Sequence, residues 1–203
     1  MSFPDFFDSV PVITVRDPLS EFLGAAEGGV IRYNYTDAVK VTGHSCVVTA
    51  TAWAMLMAGL AALYSTTMPE RGGLDVQFRD RADEGTIGVT ASIVQLVTGA
   101  AGDSGFHGIG PTARFARRGL MRFGTGIDGT FQLHRRDTGR SVVVSADPSR
   151  VPMSPELRDL FPRGVAGQLD AGALTRFGQL WQERIRSLLL DQADAAITVR
   201  DSP

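Results

Sequence analysis

The residues best suited to chemistry lie together in Gly43-His44-Ser45-Cys46. Imidazole and thiolate are good ligands for zinc, nickel, iron or copper, and side by side they also make a nucleophile pair. On a regular helix, side chains at i and i+2 point about 200° apart and cannot share an ion. They can converge if His44 lies in a loop and Cys46 in the first turn of the helix that follows. Gly43 permits that sharp entry. A helix N-terminus also presents free N–H groups and partial positive charge, which favour a thiolate or an anionic ligand. The plainer alternative is a small buried Cys46 beside a His44 that caps the helix. The tripeptide does not choose between them.

A structural zinc ion takes four protein ligands and a catalytic one about three plus water. His44 and Cys46 supply two. His107, in Gly105-Phe-His-Gly108, is the best third candidate, with Asp83, Glu84 and Asp103 as oxygen donors and a second copy of the chain as another source. His134 falls in an expected strand and reads as a surface or half-buried residue. His107 could also serve Cys46 as the base of a nucleophile pair, but nothing marks an oxyanion hole or an orienting third group.

Glycines at 99, 102, 105 and 108, then Gly110-Pro111, precede Arg114, Arg117 and Arg118. Backbone N–H groups with nearby guanidinium groups can hold a phosphate or carboxylate. No Gly-Lys-Ser/Thr ending follows, and the loop does not clearly join a strand to a helix, which argues against a nucleotide. A loop leading into a solvated basic segment is the alternative. Arg135-Arg136 and the Arg184/Arg186 pair read as solvated faces. Neither Gly-x-Ser-x-Gly nor His-Glu-x-x-His occurs.

Composition bounds these readings. Apolar residues make up 43% and charged residues 21% of 203, ordinary values for a globular chain. A net charge of −2 gives no general reason to expect nucleic acid. The single cysteine rules out an intramolecular disulfide and any one-chain site of several thiolates, and it fits a reducing, cytoplasmic setting. The opening Met1-Ser-Phe-Pro-Asp-Phe-Phe-Asp lacks the basic start of a secretion signal.

Positioning falls to a few elements. Residues 45–64 carry no formal charge, with Ala50, Ala54, Ala58 and Ala62 in a stripe suited to close packing, so a helix buried in the protein rather than in a membrane is expected. Residues 1–28 read as irregular, with a short helix after Asp17-Pro18. Residues 30–35, 74–79, 120–123, 130–135 and 141–145 read as strands, and Thr36 or Asp37 as a helix cap. Periodicity leaves 86–98 undecided. Ser154 starts a short helix, and residues 171–190 form a longer one with an apolar stripe.

Gly43-His-Ser-Cys46 before a long small-residue helix resembles the Gly-His-x-Cys-Pro start of the FmdE-like family, which takes its name from formylmethanofuran dehydrogenase. Gly88-Val89 through Gln95-Leu-Val-Thr98-Gly99 resembles that family's Gly-Val-Asp-Ala-Ile-Gln-x-x-Thr-Gly-Cys segment. The likeness covers residues 30–145. It implies an α+β fold, a homodimer, a helix over 87–98 and a cleft in which His44 and Cys46 bind metal. Val47, Ser92 and Ala100 stand where the family has proline, an acid and a second cysteine, and the family's C-terminal zinc module is missing.

The combined expectation is an α+β chain: a small, mainly antiparallel sheet packed on helix 45–64, a core domain over 1–150 and a C-terminal helical extension over 151–203. The leading function is FmdE-like metal binding through His44, Cys46 and His107, zinc first and nickel or iron next. Cys46 is the catalytic candidate should the chain be an enzyme of unidentified substrate. Two alternatives stand beside it. One is a non-metal binding protein or enzyme for a small organic anion, using Cys46 and the glycine- and arginine-rich segment 99–118 with Arg114, Arg117 and Arg118. The other is a structural dimer whose cleft has lost its chemistry. No nucleic-acid or membrane partner is expected.

Overall fold

The computed structural model describes residues 3–202. Met1 and Ser2, part of the stretch read above for a leader, and Pro203 lie outside the described residues.

Strands β1 (Ile13–Arg16) and β2 (Val30–Tyr33) pair antiparallel as a two-stranded ribbon, with helix α1 (Pro18–Phe22) between them. Asp17 caps α1, its Oδ1 accepting from the Leu19 N–H at 2.8 Å. Strand β1 departs from the irregular reading of residues 1–28. Ile13 and Val15 are buried, but four residues of alternation are too short to stand out.

Helix α2 (Tyr35–Thr42) is capped by Asn34, not by Thr36 or Asp37. Asp37 is instead the third helical residue, and its Oδ2 accepts from the Asn34 N–H at 2.9 Å. Gly43 closes the helix with φ 77°, a left-handed conformation glycine adopts without steric cost.

Helix α3 (Val47–Leu63) follows with Cys46 as its N-cap residue. Trp53, Leu56, Leu60 and Leu63 are buried with Ala50, Ala52 and Ala54, and no charged residue gives the helix a polar face. Its threonines are satisfied locally: Thr51 Oγ1 donates to the Val47 carbonyl at 2.8 Å. Gly59 lets α3 lie close to the sheet, since a Cβ there would come within 2.9 Å of Leu133 and 3.0 Å of Val144. Among the described residues no helix is long and apolar enough to cross a membrane.

Next come β3 (Leu74–Phe78), α4 (Ile87–Thr98), β4 (Met121–Arg122), β5 (Phe131–Arg135) and β6 (Ser141–Ala146). Beyond them lie α5 (Pro155–Val165), α6 (Ala171–Arg186), a π-turn over Ser187–Asp191, α7 (Ala193–Ala196) and β7 (Ile197–Ser202). The sheet order is β4-β3-β5-β6-β7, antiparallel except for the β3–β4 pair. A mainly antiparallel sheet packed on a long buried helix, in an α+β arrangement, is thus the architecture.

The segment that periodicity left open is the helix α4. Ile87, Ala91, Val94 and Val97 are buried together on its inner face, and α4 packs against α3 and α2. Two features of the C-terminal segment differ from the sequence reading. The helix expected to run to residue 190 ends at Arg186, where the π-turn shifts its register while keeping Leu188 and Leu189 buried. The expected helical extension then returns as β7, pairing with β6 from Ala146↔Ile197 to Ser141↔Ser202. Ile197-Thr-Val-Arg200 alternates like β1, but so short a run does not stand out and does not name its partner strand, which lies far away in sequence.

Candidate functional site

The corner at the start of α3 is built by three helices. His44 lies in the loop and Cys46 is the N-cap residue, one position before the helix, which the sequence reading began at about Ser45. The His44 ring donates from Nδ1 to the Thr42 carbonyl at 2.8 Å. That bond leaves Nε2 as its lone-pair nitrogen. Cys46 is half-buried, with Sγ 3.6 Å from Thr49 Oγ1. Tyr35 Oη lies 3.0 Å from Ser45 Oγ, which donates to Gln182 Oε1 at 3.1 Å. The Trp181 indole donates to the Ser45 carbonyl at 3.0 Å, so α6 clamps the loop from outside. Burial pushes the Tyr35 phenol far above its ordinary value, against the lowering effect of the Ser45 contact. It stays a neutral hydroxyl.

His107 does not join this corner as a third ligand. Its Nδ1 accepts from Arg118 Nη1 at 3.2 Å, so a cation occupies one of its ring nitrogens. Among the described residues no group of three or more His, Cys, Asp or Glu is gathered to hold a metal ion. Two donors fall short of what a zinc, nickel or iron centre needs. One copy of the chain therefore does not fit such a centre. Asp83, Glu84 and Asp103 likewise belong to no such group, and Asp83 is paired with Arg81 at 3.1 Å. His134 is half-buried and bonds Ser141 Oγ at 2.8 Å across the β5–β6 hairpin.

The three arginines after the glycine loop separate into different roles. Arg117 is buried, donating to Asp17 Oδ1 at 2.7 Å and to the Arg71 carbonyl. Its Nε is sealed from solvent and meets no acceptor among the described residues. Arg118 turns to His107 and does not line the cleft formed by the other two. Arg114 lies with its guanidinium 4.3 Å over the Phe115 ring and 5.6 Å from the Phe22 ring. It has no carboxylate within ion-pair distance among the described residues.

The backbone around Arg114 is unusual. Its neighbours Ala113 and Phe115 have φ 49° and 66°, and they are the non-glycine residues with positive φ among those described. A bulky aromatic in this region carries local strain of roughly 1–3 kcal/mol, which the surroundings must hold in place. They do so from both sides. The Ile109 N–H donates to the Arg114 carbonyl at 2.8 Å, and the Arg114 N–H returns the bond at 3.0 Å. Gly108 lies so close to Ala113 that a Cβ there would come within 2.2 Å of the Ala113 carbonyl oxygen.

Arg114 overlooks a cleft of about 550 Å³ lined by Arg16, Arg114, Arg117 and Arg136, with Phe115 and the single acid Glu70. Arg16 is engaged with Glu21 and Glu70. Arg136, like Arg114, meets no carboxylate among the described residues, and its backbone N–H is tied to the Gly73 carbonyl at 3.1 Å. A second hollow of about 370 Å³ shares Glu70, Gly72 and Arg136 with the cleft and is also lined by Tyr64, Met68 and Asp137. Two of the four guanidinium groups are already paired, Arg117 with Asp17 and Arg16 with Glu21 and Glu70, so the preference of this surface for anions comes from Arg114 and Arg136.

Two readings of individual arginines need correction. Arg135 is no solvated face: it covers the Tyr64 ring at 3.9 Å and donates to the Leu63 carbonyl at 2.8 Å. Arg184 donates to the Val151 carbonyl at 2.7 Å. The sequence reading also missed Arg16, Glu70 and Arg136 as cleft residues. They come from β1, the turn before β3 and the turn after β5, and no local spacing links them. No protein-family model and no curated protein matches this chain.

Proposed function

We propose that the chain binds a small organic anion in the cleft lined by Arg16, Arg114, Arg117 and Arg136. One observation carries the reading: a strained turn holds Arg114 over the cleft with no carboxylate to neutralise it. A volume of about 550 Å³ suits a small metabolite. Phe115 supplies an apolar wall beside the charges, and Arg117 a pre-fixed positive floor. Cys46 belongs to the α3 corner and takes no part. Thermal stabilisation by a panel of carboxylates and phosphates tests the reading. Arg114→Ala and Arg136→Ala should abolish the shift, and Arg122→Ala, an exposed arginine outside the cleft, should leave it intact. No shift with any anion would overturn it.

A second reading rests on the Nδ1 bond of His44 to Thr42, the arrangement that fixes a histidine for Nε2 ligation. It is an FmdE-like metal site of zinc, nickel or iron shared by two copies of the chain in a cytoplasmic homodimer, each copy giving His44 and Cys46. Metal analysis of untagged protein, together with its mass in solution, tests it. One metal per dimer, lost in both His44→Ala and Cys46→Ala, would support it. A metal-free protein after growth in zinc-supplemented medium would end it.

A further inference from the structure

Two of the four arginines in the cleft already have their charge satisfied. Arg117 is spent on Asp17 at 2.7 Å and on the Arg71 carbonyl. Arg16 is spent on Glu21 and on Glu70, the one acid of the lining. Arg114 and Arg136 remain: Glu70 lines the cleft with them, but it is paired with Arg16, and neither Arg114 nor Arg136 has a carboxylate within 4.0 Å among the described residues.

These two groups come from separate segments of chain, each fixed by its own backbone. The reciprocal Ile109–Arg114 hydrogen bonds pin the loop that carries Arg114. The bond from the Arg136 N–H to the Gly73 carbonyl pins the start of the β5–β6 turn. The Arg114 guanidinium lies 4.3 Å over the Phe115 ring, a contact that leaves its N–H donors available to an anion. Each guanidinium thus offers an in-plane fork of donors suited to a bidentate anion.

A single negative charge would pair with one fork and leave the other without a counter-ion. We infer that the occupant of this cleft is an organic dianion, with one negative charge for Arg114 and one for Arg136. The inference rests on the anion-binding reading above and narrows it. Two carboxylates on an apolar spacer and a phosphate monoester both meet the requirement. The wall formed by Phe115 and the second hollow beyond Arg136 leave room for a carbon skeleton.

Calorimetric titration with ligands matched in length decides the matter: straight-chain monocarboxylates of four to eight carbons, the corresponding dicarboxylates, and alkyl phosphates. The dianions should bind about tenfold or more tighter than the monocarboxylates, as a second charge-assisted pair requires. Arg114→Gln and Arg136→Gln, both at exposed positions, should each bring the dianion down to the affinity of the monoanion. A preference confined to alkyl phosphates would put both charges on one group, and one shown by the dicarboxylates would put them on two. Equal binding of mono- and dicarboxylates and of phosphates would overturn the dianion while leaving an anion site. So would variants that weaken all ligands in the same proportion. Absence of binding by every ligand would overturn the anion site itself.

Discussion

Asp17 and Arg117 stand one hundred residues apart in sequence and 2.7 Å apart in the fold. The second oxygen of the same carboxylate receives Arg71 Nη1 at 3.0 Å. A single buried acid therefore ties together the end of β1, the turn before β3 and the loop before β4. The tie also fixes the floor of the arginine cleft, because the Arg117 that Asp17 holds lines it.

Removing this carboxylate should be costly in a pH-dependent way. Burial raises the Asp17 pKa, but Arg117, Arg71 and the N–H groups of Leu19 and Ser20 together hold it below the ordinary 3.8. A depressed folded-state pKa contributes stability that is present above the ordinary value and is lost as pH falls through the lower one. Asp17→Asn should cost about 3 kcal/mol near neutrality, since two buried or half-buried guanidiniums lose their partner. Urea unfolding from about pH 7 down to pH 2 should show the gap between wild type and variant closing only at the acid end. A gap that does not change with pH would mean that Asp17 acts as a helix cap alone.

Two glycines separate the scaffold from the site. Gly72 has φ 87°, and a Cβ there would fall 0.9 Å from Arg117 Nη1. Gly72→Ala should displace the buried guanidinium and lower global stability by about 2–3 kcal/mol. Gly108→Ala meets the Ala113 carbonyl instead, in the exposed loop. It should shift Arg114 and weaken anion binding at least tenfold, at a smaller loss of unfolding free energy. Chemical denaturation and titration of both variants check the contrast.

The tyrosines give a prediction at the alkaline end. Burial pushes Tyr64 up to about 12, with Arg135 over its ring pulling the other way, and Tyr35 lies higher still. A phenol whose folded-state pKa is raised contributes stability that is complete below about pH 10 and is lost as pH climbs through 12. Phenolate absorbance of the folded protein at about pH 11 should therefore stay well below that of the denatured chain. Full ionisation of all three tyrosines there would contradict the burial.

Much of the scaffold was legible in the sequence because its signals are local. The charge-free run of α3, the alternation in β3 and the turn residues between β5 and β6 each act within a few residues. What escaped depends on distant partners. Strand β7 is set by its pairing with β6, and periodicity alone left α4 open, the helix there being implied only by the family resemblance. The candidate site shows the same divide. Arg114 and Arg117 drew notice because they follow a glycine run, whereas Arg16, Glu70 and Arg136 reach the cleft only through the tertiary fold. Arg118 shared the local pattern and points elsewhere. The strain at Ala113 and Phe115 was also silent, since neither residue type advertises a left-handed backbone.

The position of β7 carries a consequence for how the molecule is made. Translation at about 5–20 residues per second leaves the outer edge of β6 bare for several seconds after it leaves the ribosome. Over the same interval the flank of α3 against which β7 packs stays open to water. A nascent chain in that state offers an unpaired strand edge beside an apolar helix, the combination on which wrong partners nucleate. Chaperone shielding during this interval, more than any weakness of the finished molecule, should govern the yield of native protein.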